Sequence, residues 1–201
     1  MKNSLIILAC FLAGVTASYF RWLPEWTNQH DYSLYILYIM MFFVGIGLGF
    51  DIKSLIRPWK KYKAKILLIP LATIAGTILF SGAVSIVLPN TDLRETIAIG
   101  SGFGYYSLSA IFLDKLAGSD IGMMTLISNL ARELLALLTI PFLARFCGKL
   151  APISAAGATS LDTTLPVIAS SVGEDFVIVS VFHGIIVDFS VPVIISMLYW
   201  Q

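Results

Sequence analysis

Apolar stretches about as long as a lipid bilayer is thick recur from one end of this chain to the other. Charged residues divide the 201-residue sequence into such stretches at residues 5–20, 34–50, 66–88, 97–113, 121–144, 150–172 and 176–200. A helix rises 1.5 Å per residue, so about 20 residues span a hydrocarbon core of roughly 30 Å, and every stretch is within tolerance by length. Composition agrees: 58% of residues are hydrophobic and 12% are charged, against roughly 25% charged in soluble domains. A formal charge of +1 provides no basic field for nucleic acid, and the apolar content is the opposite of a disordered composition. Two cysteines, Cys10 and Cys147, do not make a disulfide framework.

Length alone does not make a helix. The fourth stretch contains GSGFGYYSLS and the sixth SAAGATSLDTTLP, runs of Gly, Ser, Thr and Pro that interrupt helices. The expected fold is therefore an all-α integral membrane protein with five full transmembrane helices plus two broken, re-entrant hairpins. It forms a single membrane domain over residues 1–201. Residues 1–90 supply scaffold spans, and residues 96–201 form two units, each a broken helix followed by a helix, that make the candidate site. Lys2 and the small residues Thr16, Ala17 and Ser18 give the first stretch some signal-peptide character, but the multi-span remainder favours an uncleaved first span. Cys10 comes too early for a lipoprotein box.

Basic residues in short connections set orientation. Lys53, Arg57, Lys60, Lys61, Lys63 and Lys65 between the second and third stretches mark the cytoplasmic side, which puts the N-terminus inside and the C-terminus outside. Trp22, Trp26 and Trp59 flank span ends as interfacial aromatics do. Re-entrant hairpins keep Arg145 and Lys149 on the inside, whereas full crossings would put them outside.

A shift of 55 residues lays 100–144 on 155–199 without a gap. Gly102 meets Gly157, Gly118 meets Gly173, Asp120 meets Asp175 and Glu133 meets Asp188. Each unit runs from a small-residue break through a short polar turn to an apolar helix with a carboxylate near its middle. As hairpins, the two units have opposite orientation, an inverted repeat of the kind secondary transporters use.

Ionisable groups inside apolar stretches are Arg132, Glu133, Asp162, His183 and Asp188. Each needs a partner or water, at a cost of roughly 2.5 to 3.5 kcal/mol on insertion scales. Asn129 and Glu133 share a helix face, and Arg132 points about 100° away, free to anchor another helix or to pair with Glu133. Asp162 lies among Ser160, Thr163, Thr164 and Pro166, where unwound carbonyls and hydroxyls can hold a cation or an ammonium. It can equally cap a half-helix that begins at Thr163. The opposite break offers Tyr105, Tyr106, Ser107 and Ser109, with half-helix N–H groups for a carboxylate and aromatic faces for an ammonium. Asp188 is a weaker ligand candidate, and His183 is a candidate proton relay. No metal site or cofactor is expected, because no His or Cys cluster exists. Neither a phosphate-binding loop nor a local nucleophile motif occurs, so the chain reads as a non-enzyme.

The strings SGFGYYSLSAIFL, SNLARELLALLTIPFL, GATSLDTTLPV and FHGIIVDFSVPVI, in this order and spacing, resemble the C-terminal part of the LysO lysine exporter family of bacterial inner membranes. The resemblance is strong over residues 97–198 and is one of hydropathy over residues 4–90. It implies export of L-lysine and toxic lysine analogues from the cytoplasm, with intramembrane acidic residues matched by Glu133 and Asp162. It also implies outward-facing termini and extra N-terminal spans in full-length members, so this chain is expected to be either a short form of the family or one whose missing spans come from a separate small membrane protein, and a homo-oligomer is a further candidate assembly. The leading expectation is a secondary transporter of lysine or a similar cationic amino acid, coupled to H+ or Na+ through its carboxylates. The alternatives are a non-transporting membrane subunit, whose ion pairs fix assembly, and a cation antiporter.

Overall fold

The computed structural model describes residues 66–87 and 92–200, together with a few isolated positions between 13 and 46. The expected spans at 5–20 and 34–50, the basic connection and the N-terminal orientation signals thus lie almost wholly outside the described residues. Those described are helical, with no strand among them.

Helix α1 (Leu68–Val87) is apolar nearly all round and buries only Pro70 and Thr73, as suits a helix that turns most of its surface to lipid. Helix α2 (Leu93–Gly100) starts from a capping box between Asp92 and Glu95, which satisfies two of the orphan N–H groups of a helix start. It packs on α1 and ends in the first break. Helix α3 (Tyr106–Ala117) resumes beyond that break and runs along α4 (Ser119–Phe146). The second unit repeats the order: α5 (Ala151–Ala156), a tight 3-10 turn at Gly157–Leu161, α6 (Leu165–Val172), a 3-10 turn at Glu174–Phe176, and α7 (Val177–Leu198). Both stretches expected to be broken are therefore interrupted. Among the described residues, three helices are long and apolar enough to cross a membrane: α1, α4, and α7 with its preceding turn. They coincide with the third, fifth and seventh apolar stretches.

Glycine ends both short helices. Helix α3 stops at Ala117 before Gly118 (φ 98°, ψ 164°), and α6 stops at Val172 before Gly173 (φ 96°, ψ 156°). Side chains rarely enter this conformation, so the reversal into each long helix requires glycine.

On α4 the residues Ile121, Thr125, Asn129, Glu133, Ala136 and Ile140 are buried. Their steps of three and four residues make one face, and Met123, Ile127, Leu134, Leu138 and Phe142 leave the rest exposed. Helix α7 is the central one: it packs on α1, α2, α3, α5, α6 and the Gly157–Leu161 turn. The core divides in two. One cluster joins Ala98, Phe103 and Leu113 of the first unit to Val191 and Ile195 of α7. The other joins Ile153, Ala156 and Ile168 of the second unit to Ala136 and Ile140 of α4. Each core thus joins one unit's broken stretch, and the start of its own long helix, to the far half of the other unit's long helix.

Candidate functional site

The two breaks meet in the middle of the fold. The Ala158 N–H donates to the Phe103 carbonyl at 3.0 Å, and residue 158 is the counterpart of residue 103 at the 55-residue shift. Phe103 holds a positive φ of 48° and is fully buried, a strained setting for an aromatic residue. Gly157, at φ 66°, lies so close to the Phe103 carbonyl that any side chain would collide with it. The close approach of two unwound backbones explains the small residues at both breaks.

Side chains from the long helices supply what the breaks lack. Asn129 is buried on α4; its Oδ1 accepts from the Gly104 N–H at 2.8 Å, and its Nδ2 donates to the Ile99 carbonyl at 2.9 Å and the Thr125 carbonyl at 3.0 Å. It therefore laces the first break to α4. At the second break, the Ser160 hydroxyl donates to the Ser180 carbonyl at 3.1 Å, and the Ser180 hydroxyl donates to the Ser160 carbonyl at 2.7 Å. Thr164 is fully buried and donates to the Thr159 carbonyl at 2.9 Å. These groups hold irregular backbone inside the membrane, where unpaired N–H and C=O groups are costly.

The acidic groups gather beside this crossing. Glu133 is buried on α4, and its carboxylate has the Thr163 side chain as a hydrogen-bonding neighbour. Asp162 caps its own turn, its Oδ1 accepting from the Thr163 N–H at 2.6 Å. The following helix starts at Leu165, with Thr164 before it, so Asp162 is not the cap of a helix beginning at Thr163. Asp162 lies within electrostatic reach of Glu133, Asp188, Tyr105 and Tyr106. Tyr106 is also in reach of Glu133, and Tyr105 of Asp188. Three carboxylates, two phenols and the Thr163 hydroxyl thus come from the first break, α3, α4, the second break and α7. Asp162 and Thr163 are exposed, and Tyr105, Tyr106 and Asp188 are half-buried, so the group opens out of the protein. Such a set can solvate an ammonium, with charge from the carboxylates and ring faces from the tyrosines.

Other expected site residues lie elsewhere. Ser107 is exposed, and Ser109 is fully buried with its hydroxyl donating to the Tyr105 carbonyl at 2.8 Å. His183 is fully buried between two hydroxyls: Thr73 Oγ1 lies 2.9 Å from Nε2 and Ser160 Oγ lies 2.9 Å from Nδ1. Thr73 continues to Ser154 Oγ at 2.6 Å. This network joins α1, α5, the second break and α7. Nothing in the local sequence announced Thr73 or Ser154 as its members, because the pairings are long-range. Arg132 does not turn to Glu133: its Nη1 donates to Thr77 Oγ1 at 3.3 Å, and its guanidinium stands over the Phe103 ring, 5.7 Å from its centre.

Membrane-length helices packed against two interrupted ones, with acidic side chains gathered beside the interruptions, define an integral membrane protein with a polar site. Sequence comparison gives the particular family. The chain matches the family described as lysine exporter LysO over residues 8–199. It is 35% identical over 173 residues to the Escherichia coli (strain K12) protein "Lysine exporter LysO", a match covering 84% of this chain and 56% of that one. It is 28% identical over 194 residues to a Haemophilus influenzae (strain ATCC 51907 / DSM 11121 / KW20 / Rd) protein described as "Putative lysine exporter", covering 94% of each. The chain belongs to the lysine exporter LysO family. It spans about half the length of the E. coli relative and nearly all of the H. influenzae one. No solved structure matches it.

Proposed function

We propose that this chain exports L-lysine or a related cationic amino acid across the bacterial inner membrane by alternating access. The observation that carries the reading is the convergence of Glu133, Asp162 and Asp188 with Tyr105, Tyr106 and Thr163 beside the crossing of two broken helices. Family membership supplies the substrate class. In this reading Glu133 and Asp162 bind the side-chain ammonium, Thr163 orients both, and the tyrosine rings face the cation. A carboxylate left charged in hydrocarbon is costly, so the empty carrier returns with a proton or a sodium ion in place of the substrate. His183 serves as a proton relay, or holds the second break in place.

The two units are read as an inverted repeat, and several features support this. Residues 103 and 158 touch at their own counterparts, as residues on a pseudo-two-fold axis do. The two cores exchange equivalent positions: Ala98, Leu113, Val191 and Ile195 in one correspond to Ile153, Ile168, Ala136 and Ile140 in the other. The broken stretches are read as hairpins, with the N-terminus inside and the C-terminus outside. Whether the transporting unit is this chain alone, a homo-oligomer, or a complex with a small membrane protein is decided by reconstituting the purified chain.

The site is tested with Glu133→Gln and Asp162→Asn in proteoliposomes, scored at matched protein amounts. Each is expected to lower lysine efflux at least about tenfold, the loss of an interaction worth about 1.4 kcal/mol. Parent rates in both variants would contradict the assignment.

A further inference from the structure

Arg132 points about 100° around α4 from Glu133 and lines a separate groove of about 540 Å³ between α1, α4 and α5. A guanidinium in an apolar stretch costs several kcal/mol unless it is hydrated or paired. Here its neighbours are a hydroxyl, Thr77, and an aromatic ring, Phe103, and no carboxylate joins it among the described residues. Packing does not demand a cation at this position. At the 55-residue shift its counterpart is Val187, which is fully buried in the core. Thr77, whose hydroxyl meets Arg132, lines the groove as well, beside the small residues Ala72, Gly76, Ala151 and Ala155. Gly157 lets the guanidinium come up against the second break, since a side chain there would stand 3.2 Å from Arg132 Nη2.

We infer that this groove is a second binding station, in which Arg132 holds the α-carboxylate of the transported amino acid, with the Thr77 hydroxyl alongside. A guanidinium is planar and presents paired N–H groups that match a carboxylate, and it stays charged in a poorly hydrated site. The acidic site around Glu133 suits the ammonium groups, and its carboxylates, Glu133, Asp162 and Asp188, repel a substrate carboxylate. Adjacent residues on one helix thus give the substrate route an anionic station and a cationic one, on either side of the crossing at Phe103. The inference rests on the amino-acid transport reading, and it selects for a free carboxylate.

The test compares lysine, lysinamide, which lacks the carboxylate, and norleucine, which lacks the side-chain ammonium. In proteoliposomes the parent is expected to show a KM for lysine at least about tenfold below that for lysinamide. Arg132→Gln should raise the lysine KM about tenfold and leave that for lysinamide unchanged, and Arg132→Lys should fall between. Equal losses for lysine and lysinamide would reduce Arg132 to a helix anchor and overturn the inference. Thermal stability of the detergent-solubilised chain separates this outcome from failure of the lysine reading. Stabilisation of the parent by norleucine but not of Arg132→Gln supports the groove even if lysine is not transported. Absence of stabilisation of the parent by both lysine and norleucine refutes the groove.

Discussion

Asn129 uses both ends of its amide at once, and that determines which substitutions it can tolerate. Its oxygen accepts from Gly104 and its nitrogen donates to two carbonyls, Ile99 and Thr125. Asn129→Asp keeps the acceptor but loses both donors, and it sets a carboxylate against two carbonyl oxygens. Leaving buried polar groups unsatisfied costs about 1–3 kcal/mol. Asn129→Asp is therefore expected to lower the thermal midpoint of the solubilised protein clearly, whereas Ser107→Ala, at an exposed position, leaves it unchanged. An unchanged midpoint in Asn129→Asp would show that the first break is held by something other than this amide. His183 illustrates the same point about buried polar groups: its two ring nitrogens face hydroxyls of Thr73 and Ser160. With its proton on Nδ1 the neutral ring donates to Ser160, which donates to the Ser180 carbonyl, and Nε2 accepts from Thr73 in place of that hydroxyl's 3.0 Å bond to the Ile69 carbonyl.

At the scale of elements, a helix, a break, a helix, a glycine reversal and a long helix recur in the same order. The apolar stretches and their interruptions were legible in the sequence because hydropathy and helix-breaking residues are local signals. The shared face of Asn129 and Glu133 was also legible, since helical periodicity fixes it. Three things were not. The start of α6 at Leu165 rather than Thr163 reflects the packing of Thr164 into the break. The Thr73–His183–Ser160 network joins residues up to 110 positions apart, and the turn of Arg132 toward Thr77 depends on where α1 lies. No local pattern encodes such neighbours. The two-core arrangement yields its own prediction. Ile140 and Ile195 are both fully buried and occupy equivalent places. Ile140→Ala and Ile195→Ala should each destabilise the protein by about 2–5 kcal/mol, the usual range for emptying such a site. Unfolding in detergent checks this; a large loss in one variant and none in the other would contradict equivalent cores.

For the whole molecule, the architecture separates scaffolding from chemistry. Helix α7 runs through the centre, the lipid-facing sides of α1 and α4 are apolar, and polar groups concentrate where the breaks cross. Broken helices can hold irregular backbone within a membrane protein when its N–H and C=O groups are paired internally, a pairing that Asn129, Ser160, Thr164 and Ser180 supply at the two breaks. A rigid pairing of charges would defeat transport, and here Glu133 and Arg132 face different spaces instead of neutralising each other. The measurement that tests this account most directly is efflux of labelled lysine from loaded proteoliposomes containing the purified chain, with and without an imposed proton gradient, acidic outside. The account predicts saturable lysine efflux that the gradient accelerates. Correctly inserted, folded protein that releases no more lysine than empty vesicles would contradict it.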